Sequence, residues 1–325
     1  MEQSYILSII IAGVILVKKL TKRNRQRRRR RPAYRVQPYL RQRNTKGRYA
    51  VDFEDMMISP HLFTENFNMT VAQFNALYSM VENKLSPKRN TRPYDTIPPK
   101  LKLAIVLEFM ASGDLQRHIA STYRVSKQYL GTIIDQVCNA LIEVLQCTVP
   151  QSSKEQFLET ANGFNSIWNF PNCVGAIDGK HVAVKAPYNS GSMFYNYKGF
   201  FSLVILAICD ASYKFTFLDI GAYGSESDCS VFSESNFGKD VLNDRLCFPK
   251  DATLNGVKLP FFFVADDAFP LCKRIMKPYS SRGFTDEEKI FNYRLSRARR
   301  CIENAFGILC AKWACLKKNS LLFIR

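Results

Sequence analysis

Three acids stand where their spacing could do chemistry: Asp178 in VGAIDGKH, Asp266 in FFFVADD and Glu303 in FNYRLSRARRCIENAFGIL. The first two close apolar runs that read as strands, and the third lies inside a helical run. If the helix packs beside the strands, its Glu reaches both Asp side chains. Gathered carboxylates repel one another, and a fold tolerates them when divalent cations neutralise the charge. Oxygen-only ligands favour Mg²⁺ or Mn²⁺ over zinc. Two such ions about 4 Å apart activate water, or a DNA 3′-hydroxyl, on one side of a phosphodiester and stabilise the leaving oxygen on the other. Each acid also has an ordinary reading. Asp178 would cap a turn before Gly179, Asp266 would cap a helix at the end of its strand, and Glu303 would pair with Arg299 or Arg300. The order strand, strand, helix is what favours a shared site.

The elements that must position these acids follow from periodicity. VGAID, FSLVILAICD and KFTFLDIGAY are successive strand candidates, and FFFVADD is a fourth. The closing run is helical through Ile302, Phe306, Leu309 and Trp313. Three strands, a helical crossover, another strand and a final helix describe a layered α/β domain over 165–325.

Residues 60–150 read differently. Val71, Phe74, Leu77, Tyr78 and Val81 have helical spacing with Thr70 placed as cap, and LKLAIVLEFMASG is a buried helix closed by Gly113. Within DLQRHIASTYRVSKQYLGTIIDQV, Leu115, Ile119, Ala120 and Tyr123 make one face, RVS makes a turn, and Ser126 caps a second helix. That pattern is a helix-turn-helix, or a plain αα-hairpin. In the first case Lys127, Gln128, Gly131 and Thr132 lie exposed where base edges are met. The turn position that often carries Gly holds Arg124.

Charge is concentrated at one end. Residues 1–50 hold fifteen Lys or Arg against one acid, Glu2, a net +14 of the chain's +18, with Arg27, Arg28, Arg29 and Arg30 in the run KRNRQRRRRR. Such a basic arm binds polyanions and serves as a nuclear localisation signal, or is simply a solvated tail. Ten cysteines without a CxxC pair, several inside apolar runs, predict buried reduced thiols and a cytosolic or nuclear compartment. With three histidines, a His-rich zinc site is not expected. The apolar stretch from Tyr5 to Val17 is shorter than the roughly 20 residues of a spanning helix. It reads as a helix docked on the body, a mispredicted first exon, or a short membrane anchor with the Arg cluster kept cytoplasmic.

The blocks VGAIDGKHVAVKAP, YNYKGFFSLVILAICD, GAYGSESDCSVFSES, FFFVADDAFP and FNYRLSRARRCIENAFGIL resemble, in order, those of the PIF/Harbinger transposases and their domesticated relatives, the Harbinger transposase-derived nucleases. The resemblance covers about residues 60–318. It implies an RNase H-like DDE nuclease domain preceded by an all-α helix-turn-helix region, with Asp178, Asp266 and Glu303 as the catalytic, metal-binding triad. Asp228 matches a recurrent family Asp and is expected to be auxiliary, although Ser227 replaces the usual His before it. Its ordinary reading is an N-terminal helix cap. Lys198 and Gly199 of the NYKG turn, Asp210, Ser296 and Arg299 also match. Cys310 replaces a Lys of the family pattern, with Lys312 nearby, and relatives continue beyond where this chain stops.

Lys180, His181, Lys185 and Lys198 are expected to hold phosphates near the site. The function implied is a metal-dependent DNA endonuclease, acting in the nucleus with DNA and a Myb-like accessory protein as partners and without a small organic cofactor. The alternative is a non-catalytic domesticated DNA-binding protein that keeps the nuclease domain as an assembly surface.

Overall fold

The computed structural model describes residues 2–21, 36–86, 96–145, 153–254, 256–280, 283–317 and 322–323. Chain order begins with α1 (Glu2–Thr21), α2 (Pro38–Arg41), α3 (Arg43–Lys46), α4 (Arg48–Val51), α5 (Phe53–Ile58), α6 (Pro60–Phe67) and α7 (Val71–Leu85). It continues through α8 (Pro99–Ser112), α9 (Gln116–Thr122), α10 (Lys127–Leu145), α11 (Lys154–Trp168), β1 (Cys173–Lys185), β2 (Ser202–Cys209) and β3 (Phe215–Tyr223). The rest are α12 (Asp228–Glu234), α13 (Asn236–Leu242), β4 (Ala252–Leu254), β5 (Val257–Leu259), β6 (Phe262–Val264), β7 (Ile275–Met276), α14 (Asp286–Lys312) and β8 (Leu322–Phe323). The chain divides into two compact units, one of residues 1–12, 147–182 and 190–309, the other of 13–146, 183–189 and 310–325.

The first unit is built on a mixed sheet. Its strands run β3-β2-β1-β6-β7, with β2 and β3 antiparallel and β1, β6 and β7 parallel. β2 is buried at all eight positions, as a strand covered on both faces must be, which is why SLVILAIC reads as an unbroken apolar run. Phe157 of α11, Phe232 of α12 and Val241 of α13 join Val174, Ile177, Val204, Leu206 and Phe263 of the sheet in one hydrophobic cluster. The buried stripe of α14, Leu295, Ala298, Ile302, Ala305 and Leu309, keeps helical spacing. Phe306 of that helix meets Phe215 at 5.9 Å. This order fits an RNase H-like fold.

One local reading changes, and further elements appear that periodicity did not mark. β1 does not end on Asp178 but continues to Lys185; burial gives way to partial exposure at Asp178 and returns at Val182. The carboxylate therefore sits in mid-strand. α11, which periodicity alone left unassigned, begins with a capping box in which Ser153 and Gln156 each bond the other's backbone N–H. The β4–β5 hairpin turns through Gly256, which has φ +81°. β7 is two residues long, too short to leave a periodic signal.

The second unit is helical apart from short strand pairing of Val184 and Lys185 with Leu322 and Phe323. Phe53, Phe63, Phe67 and Phe74 form a ring cluster with centroid separations of 4.5 to 6.3 Å. α7 carries the expected Thr70 cap, reinforced by Gln73. α8 is buried from Leu101 to Ala111 and closes at Gly113, φ +69°, where a side chain would also strike the Ala314 backbone. Buried Glu108 accepts from Arg48 at 3.0 Å and from the Tyr123 hydroxyl.

α9 and α10 are joined by residues 123–126, and Ser126 caps α10 by accepting from the Tyr129 N–H at 3.2 Å. Arg124 does adopt the left-handed conformation that usually favours Gly, φ +49°. Its guanidinium donates to the carbonyls of Tyr39 and Lys46 and to Gln42 Oε1, and lies 4.1 Å from the Tyr39 ring centroid. Lys127 and Gln128 are exposed and Thr132 is partly so, but Gly131 is buried, and Leu115 is exposed at the start of α9 instead of joining its apolar face. Glycine at 131 serves packing, not an exposed surface.

Residues 7–17 of α1 are largely buried, consistent with its being apolar on every side. Among the described residues no helix is long and apolar enough to cross a membrane. Arg27, Arg28, Arg29 and Arg30 lie outside the described residues.

Candidate active site

Strand register brings the first two acids together. β1 pairs with β6 at Cys173↔Phe262 and next at Ala176↔Val264, so β1 advances three residues while β6 advances two. This bulge shifts the phase of β1 by one residue. Two positions past that pair stand Asp178, still within β1, and Asp266, just beyond the end of β6. An unbulged pairing would have set Ile177 against Asp266 instead. Gly175 lies within the bulge, where a Cβ would come 2.6 Å from Ile208 Cγ2. Beyond β6, Asp266 accepts from the Ala268 N–H at 3.0 Å and closes a turn; β7 and not a helix comes next, so it is not the helix cap of its ordinary reading.

The third acid of the cluster is Asp228. It is the first residue of α12, whose cap is Ser227, accepting from the Ser230 N–H. Asp228 is therefore not itself the cap. Its carboxylate lies against the backbone of Gly179, where any Cβ would overlap it. Its Oδ1 is buried without a hydrogen-bond partner.

The electrostatics record this crowding. Burial, then the charges of Asp228 and Asp266, push the Asp178 carboxyl up to about 6; the Gly179 N–H at 2.9 Å and Arg299 oppose the rise. Burial and Asp266 raise the Asp228 carboxyl in the same sense, and Lys198 opposes them. Asp178 on β1 and Asp228 on α12 thus feel the carboxylates around them, Asp266 among these.

Glu303 is placed differently. Its Oε1 accepts from Arg299 at 2.6 Å, one turn earlier in α14, and the side chain is 45% exposed. Arg299 is also the cation that Asp178 feels, so Glu303 is tied to the aspartates through an arginine. Among the described residues no three His, Cys, Asp or Glu side chains converge as metal ligands. The donor set nonetheless suits a hard cation: Asp178, Asp228 and Asp266 offer oxygen only, and the buried Oδ1 of Asp228 has no hydrogen-bond partner.

Beside the aspartates stands the NYKG turn. Buried Asn196 accepts on Oδ1 from the N–H groups of Lys198 (3.0 Å) and Phe200 (3.2 Å) and donates from Nδ2 to Ser202 Oγ at 2.8 Å. Ser202 Oγ also meets His181 Nδ1 at 2.9 Å. Gly199 makes the turn with φ +79°. Burial and the neighbouring Lys198 lower the His181 imidazole below its ordinary value. Lys198 is exposed, its charge felt by both Asp228 and His181. Lys180 is half-buried with Nζ 5.6 Å from the Phe306 ring centroid, and Lys185 is exposed at the end of β1. The positioning roles of Asn196, Ser202 and Gly179 are not legible from residue type. Only the left-handed Gly after Asn-Tyr-Lys hinted at a built turn.

A family model for the DDE superfamily endonuclease matches residues 177–322. The protein named "Putative nuclease HARBI1" from Rattus norvegicus is 25% identical over 282 residues, 86% of this chain and 74% of the relative. The protein of the same name from Homo sapiens is 25% identical over 285 residues, with the same coverage. "Protein ALP1-like" from Arabidopsis thaliana is 26% identical over 267 residues, 78% of this chain and 64% of the relative. No solved structure matches the chain.

Proposed function

We propose, from the premise that the chain carries a DDE superfamily endonuclease domain and is similar to Harbinger-derived nucleases, that it is a metal-dependent DNA endonuclease acting at the aspartate cluster. The observation that carries the reading is the β1 bulge, which sets Asp178 level with Asp266 and beside the unpartnered carboxylate of Asp228.

In this reading Asp178, Asp228 and Asp266 hold Mg²⁺ or Mn²⁺, with Glu303 completing the set once Arg299 releases it. The bound ions supply the Lewis acidity that activates water and stabilises the leaving oxygen in a two-metal phosphodiester hydrolysis. Crowding of like charges keeps the aspartates avid for cations. Lys198, with Lys180 and His181, orients the phosphate, and Arg299, freed from Glu303, faces its negative charge. Lys127 and Gln128 on α10 contact DNA in a helix-turn-helix reading of α9 and α10, and Arg27, Arg28, Arg29 and Arg30 add sequence-independent affinity. Nuclear residence and a Myb-like accessory protein belong to this reading through the family resemblance alone.

The Arg299–Glu303 ion pair favours a second reading, a DNA-binding protein that has lost cleavage. Incubation of the purified chain with supercoiled DNA in Mn²⁺, Mg²⁺ or EDTA separates the two. The endonuclease reading expects nicking in metal that EDTA abolishes and Asp266→Asn lowers by at least about 100-fold, in line with losing groups that act in the transition state. Intact DNA in both metals, with binding retained in EDTA, selects the second reading.

A further inference from the structure

The same turn that presents Lys198 also presents Tyr197, and the nuclease reading gives that residue no task. Tyr197 is 81% exposed. Its ring is nevertheless held: it meets His181 in an edge-to-face arrangement at 5.6 Å and 74°, and Lys198 Nζ lies over the ring, 5.1 Å from its centroid. The backbone beneath it is fixed by buried Asn196, which satisfies the N–H groups on either side of the Gly199 turn. An aromatic ring set in place by its own hydrogen-bonded scaffold, yet left open to solvent, is a preformed platform. Lys198, next in sequence, is felt by Asp228, which puts the platform within electrostatic reach of the carboxylates.

We infer that Tyr197 is a base-stacking residue, and that the site engages a strand whose base next to the scissile phosphate is unstacked from its duplex. The inference rests on the nuclease reading for the position of that phosphate. Every base has a π-face, so the platform tolerates any sequence and requires an unpaired base. A stacked base on Tyr197 leaves its adjoining phosphate to the Lys198 ammonium, a pairing of ring and cation suited to single strands. A duplex offers the ring only its grooves and backbone.

The test is the affinity of the full chain for a fluorescein-labelled oligothymidine and for a duplex, by fluorescence anisotropy in EDTA, at low and at raised sodium chloride. Raised salt suppresses the contribution of the arginine run, whereas stacking persists. Tyr197→Ala is expected to lose at least about tenfold in affinity for oligothymidine at both salt concentrations, within the range that stacking one base supplies. Duplex affinity stays unchanged, and Tyr197→Phe recovers the single-strand affinity. The inference is overturned if Tyr197→Ala binds oligothymidine as tightly as the wild type, if both ligands lose affinity equally, or if Tyr197→Phe is as impaired as the Ala variant. Because the readout is binding without metal, it stands apart from nicking: the nuclease reading fails in the Mn²⁺ assay, this one in the anisotropy.

Discussion

At the scale of single residues, the protein without metal holds an unfavourable cluster. The folded state binds a proton on Asp178 more tightly than the unfolded chain does, because burial and two neighbouring carboxylates push it up to about 6. Ionising it therefore costs the native state stability as pH rises from the ordinary carboxylate value, 3.8, through about 6, and the cost stays in place above that. Asp178→Asn removes it. In EDTA at neutral pH the variant is expected to melt about 2–4 °C above the wild type, on the order of 1 kcal/mol, with the gap closing as pH falls from about 6 towards about 4. Equal melting temperatures at neutral pH contradict the assignment. Arg299 acts in the opposite sense on the same group. Arg299→Ala is expected to raise the Asp178 carboxyl further, so the acid limb of the nicking profile moves to higher pH; an unmoved limb shows that Arg299 does not set it. Residue type and spacing named three of these four acids, with Asp228 the fourth through the family pattern. What they did not disclose is that Glu303 turns to Arg299, because a rotamer choice within one helix leaves no periodic trace.

At the scale of elements, the β1 bulge does the positioning. Its effect is a one-residue phase change, which in a strand decides which side chain meets the partner. Gly175→Val places a branched side chain where a Cβ already comes 2.6 Å from Ile208. Overpacking of this kind costs about 1–3 kcal/mol. The variant is expected to show a lower urea midpoint and at least about tenfold less nicking; full activity would separate the bulge from the site. Asn196→Ala leaves two backbone N–H groups without their acceptor, a loss of about 1–3 kcal/mol that the same unfolding curve reads. The long elements were legible because α7, α8, α14 and β2 repeat their burial over many residues. β1 was misread as ending at Asp178 because its middle, Asp-Gly-Lys-His, is partly exposed while still extended, and polarity there looks like a turn. α11 announced itself only through its capping box.

At the scale of the whole molecule, a basic arm carrying +14 of a net +18 accompanies a region that matches the DDE superfamily endonuclease model. Replacing Arg27, Arg28, Arg29 and Arg30 by Ala is expected to weaken duplex binding uniformly across sequences and to flatten the salt dependence by about 3–4 in log–log slope, since about 0.9 of a counterion is released per phosphate contact. An unchanged slope removes the arm from the DNA contact. The central claim is nearer the sheet: that Asp178, Asp228 and Asp266 form one cation site. Calorimetric titration of Mn²⁺ into the wild-type chain and into Asp178→Asn and Asp266→Asn tests it most directly. The account predicts saturable binding by the wild type that either substitution weakens by at least about tenfold. Mn²⁺ binding that both variants retain undiminished would contradict it.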